Sequence, residues 1–177
     1  MDWKRLVTGL AVAALVSAPA RAGSFGVYGS YWNSDQADRS AGGGGRVGFT
    51  FVKFLELEFH GTYYPSFTTD VAGQAVDVKA KPVDGGLRVN LLPTAAINPY
   101  VGAGVTYYFL DSDKGSIDNK SGIYGQAGLD AGTGGTRFFV EALWRKMDTH
   151  INLASFDRDA KFDGFAAQAG VLWRWGQ

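Results

Sequence analysis

Past residue 22 the chain alternates apolar and polar positions with a period of two, and polar, glycine-rich punctuation divides the alternation into eight segments. Residues 24–32 place Phe25, Val27 and Tyr31 on one face. Residues 45–53 set Val47, Phe49 and Phe51 against Arg46, Gly48 and Thr50. In 55–64, Leu57, Phe59 and Tyr63 alternate with Glu56, Glu58, His60 and Thr62. In 83–92, Val83, Leu87, Val89 and Leu91 alternate with Asp84, Gly86, Arg88 and Asn90. The fifth segment, 100–110, carries Val101, Ala103, Val105, Tyr107 and Phe109 opposite Gly102, Gly104 and Thr106. In 123–131, Ile123, Ala127 and Leu129 oppose Tyr124, Gln126 and Asp130. In 137–147, Phe138, Val140, Ala142 and Trp144 alternate with Glu141 and Arg145. In 164–175, Phe165, Ala167, Ala169, Val171, Trp173 and Trp175 alternate with Gln168, Gly170 and Arg174.

Each segment has about the 9–11 residues that a tilted strand needs to cross a bilayer. The connections at 53–55, 93–99 and 132–136 are short, whereas 33–44, 65–82, 111–122 and 148–163 are longer and polar. Alternate short turns and long loops predict an all-β, eight-stranded antiparallel up-and-down transmembrane barrel, with short periplasmic turns, longer external loops and both termini periplasmic. A water-soluble sandwich or lipocalin-like binding barrel shares the period. Its polar face would meet water and carry abundant Lys and Glu. Here that face holds Gly, Thr, Ser, Asn and Gln with a few charges of both signs, which suits a narrow lumen.

The first 22 residues read differently. Lys4 and Arg5, the apolar run 6–16 and Ala20-Arg21-Ala22 have the order of a cleavable secretory signal, and the run is too short for a permanent helical anchor. The predicted division is therefore a signal peptide, 1–22, and a barrel domain, 23–177. Losing Lys4, Arg5 and Arg21 against Asp2 turns a formal net charge of zero into −2, and no basic face suggests nucleic acid. With no cysteine, a disulfide scaffold is excluded. Twenty-five glycines, 14% aromatics and only five prolines fit a crowded barrel interior with aromatic girdles. Trp32, Trp144, Trp173 and Trp175 are expected at the membrane interfaces.

Residues 98–108, NPYVGAGVTYY, followed by GQAGLDAG and FFVEALWRK, resemble strands of the OmpA-like outer membrane β-barrel family. The end of the chain, QAGVLWRW, resembles the signal read by the barrel-assembly machinery, with Gln168, Gly170, Trp173 and Trp175 in the matching places. It departs from the pattern by continuing through Gly176 and Gln177. The resemblance implies an outer membrane location, outer membrane lipid and the assembly machinery as partners, and no cofactor. It spans the whole exported chain in architecture, through motifs that define a class.

Catalysis on lipid A would need a serine beside an oriented histidine. His150, in DTHINLASFDRD, has Asn152 where the lipid A deacylase pattern has serine; Ser155 and Asp157 lie further on. His60, beside Glu56 and Glu58, could ligate a metal, but buried polar groups in a barrel must be paired, and a hydrogen-bond network is the simpler reading. Arg46, Asp84, Arg88, Asp130, Glu141, Arg145 and Arg174 are its further expected members. One external loop carries Asp70 and Asp77; the next, with Asp111, Asp113 and Asp118, has the DxD spacing of a calcium loop but lacks its glycine and distal glutamate, so both read as solvated surface loops. The expected protein is a non-enzymatic structural or surface-interaction barrel with a filled lumen. A narrow channel for small solutes and a lipid A-modifying enzyme are the alternatives.

Overall fold

A computed structural model of the chain describes residues 22–34, 39–71, 74–112, 120–146, 148–153, 156–161 and 164–176. They form β1 (Ala22–Ser34), β2 (Ser40–Val52), β3 (Leu55–Val71), β4 (Gln74–Asn90), β5 (Ile97–Ser112), β6 (Lys120–Ala131), β7 (Thr136–Lys146), β8 (Asp148–Leu153), β9 (Phe156–Lys161) and β10 (Gly164–Trp175). Eight of these close an antiparallel barrel in the order β1-β10-β7-β6-β5-β4-β3-β2, while β8 and β9 make a separate two-stranded sheet. β1 pairs with β2 on one side and with β10 on the other, so the ladder has no free edge along its closed part.

All eight alternating segments are barrel strands, but the long connections differ from expectation. β3 and β4 run on through most of 65–82, pairing Phe67 with Val78, Thr69 with Val76 and Val71 with Gln74. The Thr and Val content of this stretch favours a pleated ladder. Pro65 is tolerated because the register shifts between Tyr64 and Phe67. β2 begins at Ser40, five residues early, and most of 148–163 is the β8–β9 hairpin. The signal segment lies outside the described residues except Ala22, which pairs with Thr50.

The two faces separate as the alternation requires. Phe25, Val27, Val47, Leu87, Val101, Val105, Phe138, Val140 and Trp173 are among the exposed outward side chains, and the residues between them point into a filled lumen. Trp32 is a correction: it is buried at 4% exposure, against Tyr64 and Tyr108 with ring centroids 5.3 and 6.1 Å away. Its parity in β1 is that of Ser24, Tyr28 and Ser30, opposite to Phe25, Val27 and Tyr31, so it fills the lumen. Trp144, Trp173 and Trp175 do face outward.

Eight strands leave an interior just wide enough for side chains, and glycine makes the large ones fit. The Tyr100 ring on β5 lies over Gly128, its partner on β6; a Cβ there would stand 2.5 Å from ring atoms and 2.7 Å from the Val140 carbonyl. Tyr28 covers Gly44 in the same way. Gly134, at φ 69° in the β6–β7 turn, occupies backbone space that other residues avoid. Gly128→Val is therefore expected to destabilise the barrel by about 1–3 kcal/mol through overpacking. Gly125→Ala, with nothing within 4 Å of the added carbon, should stay within about 0.5 kcal/mol of the parent. Urea midpoints of the refolded proteins measure both, and equal losses would contradict this account of the lumen.

Candidate functional site: the charge network of the lumen

Alternation brings the charges together: a carboxylate or guanidinium at every second position of a strand stacks along one wall, and closure turns the walls inward. Arg46, Arg88, Arg137, Arg145 and Arg174 face Glu56, Glu58, Asp84, Asp130 and Glu141, all buried. Five positive and five negative groups leave the described part of the lumen without net charge, the condition under which buried ions are tolerated at all.

At the short-turn end the hub is Asp130 on β6. It accepts hydrogen bonds from Arg88 and Arg137, from Arg174 at 2.9 Å and from Asn98 at 3.1 Å. Arg137 also donates to the carbonyls of Ala95 and Ala96 at 2.9 and 3.1 Å, tying the β4–β5 turn to β7. Glu56 accepts from Ser24.

Half-way along, Glu58 on β3 is saturated. Arg46 and, at 3.3 Å, Arg88 donate to one oxygen; Gln126 at 2.7 Å and His60 Nε2 at 2.6 Å contact the other. Arg46 reaches on to Glu141 at 3.4 Å. The flat faces of the guanidiniums are used as well: Arg88 lies 3.5 Å from the Tyr100 ring centre and Arg46 lies 4.6 Å from that of Phe139. Arginine suits this environment because it presents a planar donor fork and stacks on rings.

Toward the long-hairpin end, Arg145 on β7 grips Asp84 on β4 with two bonds, at 2.6 and 3.2 Å. This pair bridges the lumen over β5 and β6. Above it Trp32, Tyr64, Ala80, Tyr108, Tyr124, Leu143 and Ala166 form one apolar cluster. The lumen is thus filled by ion pairs interleaved with Tyr28, Tyr100, Phe139 and Leu172, and above them by the larger apolar cluster.

The structure gathers Arg46, Glu56, Glu58, His60, Asp84, Arg88, Asp130, Glu141, Arg145 and Arg174 along the inside of one barrel. Sequence reasoning missed Arg137, Asn90, Asn98, Gln126 and Ser24 as network members. Arg137 shares the parity of Glu141 and Arg145, and Asn98 that of Tyr100, so carrying the alternation to the strand ends would have found them. His60 is engaged with Glu58 and sits between the rings of Tyr28 and Tyr124, with centroids 6.2 and 6.4 Å away. Among the described residues no cluster of three or more His, Cys, Asp or Glu is arranged to hold a metal. The side chain of His150 lies outside the described ones.

Of the C-terminal quartet, Gln168 and Gly170 face inward on β10, and Gln168 pairs in register with Glu141. Trp173 and Trp175 face outward, Trp173 stacking on Phe25 of β1 at 6.0 Å.

No family model matches the sequence, and no curated protein matches it. Solved structures do. OprG, an outer membrane protein of Pseudomonas aeruginosa, superposes with a TM-score of 0.69 at 17% identity, covering 87% of this chain and 95% of that one. Neisserial surface protein A gives 0.62 at 12%, covering 88% and 99%. The outer membrane protein AlkL, solved in lipid bilayers, gives 0.57 at 15%, covering 87% and 89%. What these proteins share with the chain is architecture: it has the closed eight-stranded antiparallel fold of the small outer membrane barrels.

Proposed function

We propose that the chain is an integral outer membrane barrel with a structural or surface-interaction role, whose lumen is closed by its own side chains. One observation carries this reading: the barrel is inside out relative to a soluble one. Its outer wall is lined with exposed Val, Leu, Ile, Phe and Trp, while five arginines and five carboxylates are buried within. In water such a wall would be an aggregation surface. In hydrocarbon it is the favourable face, and the closed ladder satisfies the backbone without water. This ordering disfavours a soluble lipocalin-like carrier, whose inside would be apolar.

The further parts of the reading follow from that frame. The signal segment directs export, and both termini lie at the short-turn, periplasmic end. Gln168, Gly170, Trp173 and Trp175 serve the barrel-assembly machinery, and outer membrane lipid surrounds the wall. The long hairpins meet the exterior. A filled, electroneutral lumen supports a scaffold over a solute channel. The engagement of His60 with Glu58 inside the wall supports a non-enzymatic protein over a lipid A-modifying one.

In fractionated envelopes the protein is expected with the outer membrane, its unboiled form running faster on a gel than its boiled form. Recovery in the soluble periplasm without such a shift would overturn the reading. Reconstituted into planar bilayers, the barrel should hold a closed baseline; sustained open current would favour the channel alternative. Arg145→Leu leaves Asp84 buried without its cation and should cost about 3–5 kcal/mol. The double variant Arg145→Leu/Asp84→Leu should recover most of that loss. An Arg145→Leu barrel with the parental urea midpoint would remove the structural role assigned to the network.

A further inference from the structure

The outer wall is not uniformly bulky. Over β6, β7, β10, β1 and β2 it carries a groove of about 960 Å³ whose floor is Gly29, Ala41, Ala127, Ala142, Ala167 and Ala169. Leu129 and Val140 bound it on the short-turn side, and Tyr31 bounds it on the long-hairpin side. The protein's own packing does not demand small residues here. Gly128 and Gly44 lie under rings, but Gly29 has nothing within 4 Å of an added Cβ, and glycine weakens a strand. The space it leaves opens outward, so what it accommodates lies outside the protein.

The register gives the groove a direction. Followed from Gly23 of β1 through β2 and the successive strands to β10, paired residues lead back to β1 at Asn33, ten residues (33 − 23) nearer the long hairpins. A row of paired residues running from β6 by way of β7, β10 and β1 to β2 therefore climbs toward that end. Ala127, Ala142, Ala167, Tyr31 and Ala41 are such a row. Its four strand spacings make about 19 Å. With strands tilted by about 35–45° the row rises about 12 Å, inside the roughly 15 Å of one leaflet. At the head of the climb the wall turns positive. Arg39 precedes β2, just beyond Ala41, and Lys146 ends β7; both are exposed. No carboxylate occupies a described outward position on these five strands.

We propose that this groove is a binding site for a phosphate-bearing anionic lipid of the external leaflet, one acyl chain lying along the small residues and Arg39 and Lys146 attracting the phosphate. The inference rests on the membrane-embedded reading above. A second barrel is convex and meets its neighbour along one line of contact, so it cannot follow a groove that wraps across five strands; a flexible chain can. Guanidinium and ammonium groups at the headgroup level attract phosphate, and long basic side chains reach that level from the wall.

The test is electron paramagnetic resonance of spin-labelled phosphatidylglycerol and phosphatidylcholine in phosphatidylcholine vesicles that hold the folded barrel. The parent should associate with the anionic probe about fivefold more strongly than with the zwitterionic one, the pull of a well-placed basic residue at a membrane surface. Arg39→Gln/Lys146→Gln should remove that preference. Ala142→Leu/Ala169→Leu, which fills the groove and keeps both cations, should lower it toward parity. Equal association of the two probes with the parent, as local pairing of both cations would give, overturns the site. So does a preference that survives either double variant at its parental size. Gel migration of the unboiled proteins from the same vesicles reads insertion separately, so failure of the membrane reading and failure of the site are told apart.

Discussion

The diameter of an eight-stranded barrel is the constraint from which the rest follows. Closing the ladder removes both sheet edges, but the enclosed space is only wide enough for side chains. Whatever points inward must then find its partners among other inward groups. For its charges the lumen answers that demand with numerical balance, five guanidiniums to five carboxylates, and with sharing. Asp130 takes three arginines and Glu58 two arginines, a histidine and an amide. A network of shared partners links β2, β3, β4, β6, β7 and β10 across the lumen, so local opening of one strand exposes charges that belong to several others.

The same narrowness explains the glycines. A tyrosine projecting across a tight cylinder needs a neighbour without a side chain, and the pairing of Tyr100 with Gly128 supplies it. Glycine in a strand ordinarily weakens it. Here the overlying ring fills the place of the missing side chain and removes the backbone from solvent. High glycine and high aromatic content are therefore one feature of this composition, and mutating either partner alone breaks the fit.

Much of this was legible from period-2 alternation alone. The strand count and the face of every residue but Trp32 could be read because closure forces every alternate residue inward, whatever the detailed coordinates. What escaped had two physical causes. Residue type alone puts Trp32 outside, since tryptophan favours interfaces, but its parity in β1 sets it inside; parity is geometric and overrides preference. The stretch 65–82 reads as loop because proline and small polar residues punctuate it, yet a ladder already formed by β3 and β4 continues where a bulge absorbs Pro65. Partner choice was not legible either. Nothing in the spacing of Asp84 and Arg145 says that they meet across two intervening strands.

The lumen is graded along its length. Ion pairs interleaved with the rings of Tyr100 and Phe139 occupy the short-turn end and the middle, and the largest apolar cluster lies toward the long-hairpin end. Arg137 shows why the ionic end belongs there: its guanidinium satisfies Asp130 and, with the same fork, the carbonyls of Ala95 and Ala96 in a turn that has few bonds of its own. Turn carbonyls beyond a ladder's end need donors, and arginine reaching out of a lumen supplies them. Toward the other end β3 and β4 prolong their own pairing to Val71 and Gln74, and an apolar cluster of Trp32, Tyr64, Ala80, Tyr108, Tyr124, Leu143 and Ala166 fills the lumen. At the short-turn end, then, one guanidinium serves both the lumen and the connection, because the turn carbonyls and the buried carboxylate lie within reach of the same fork.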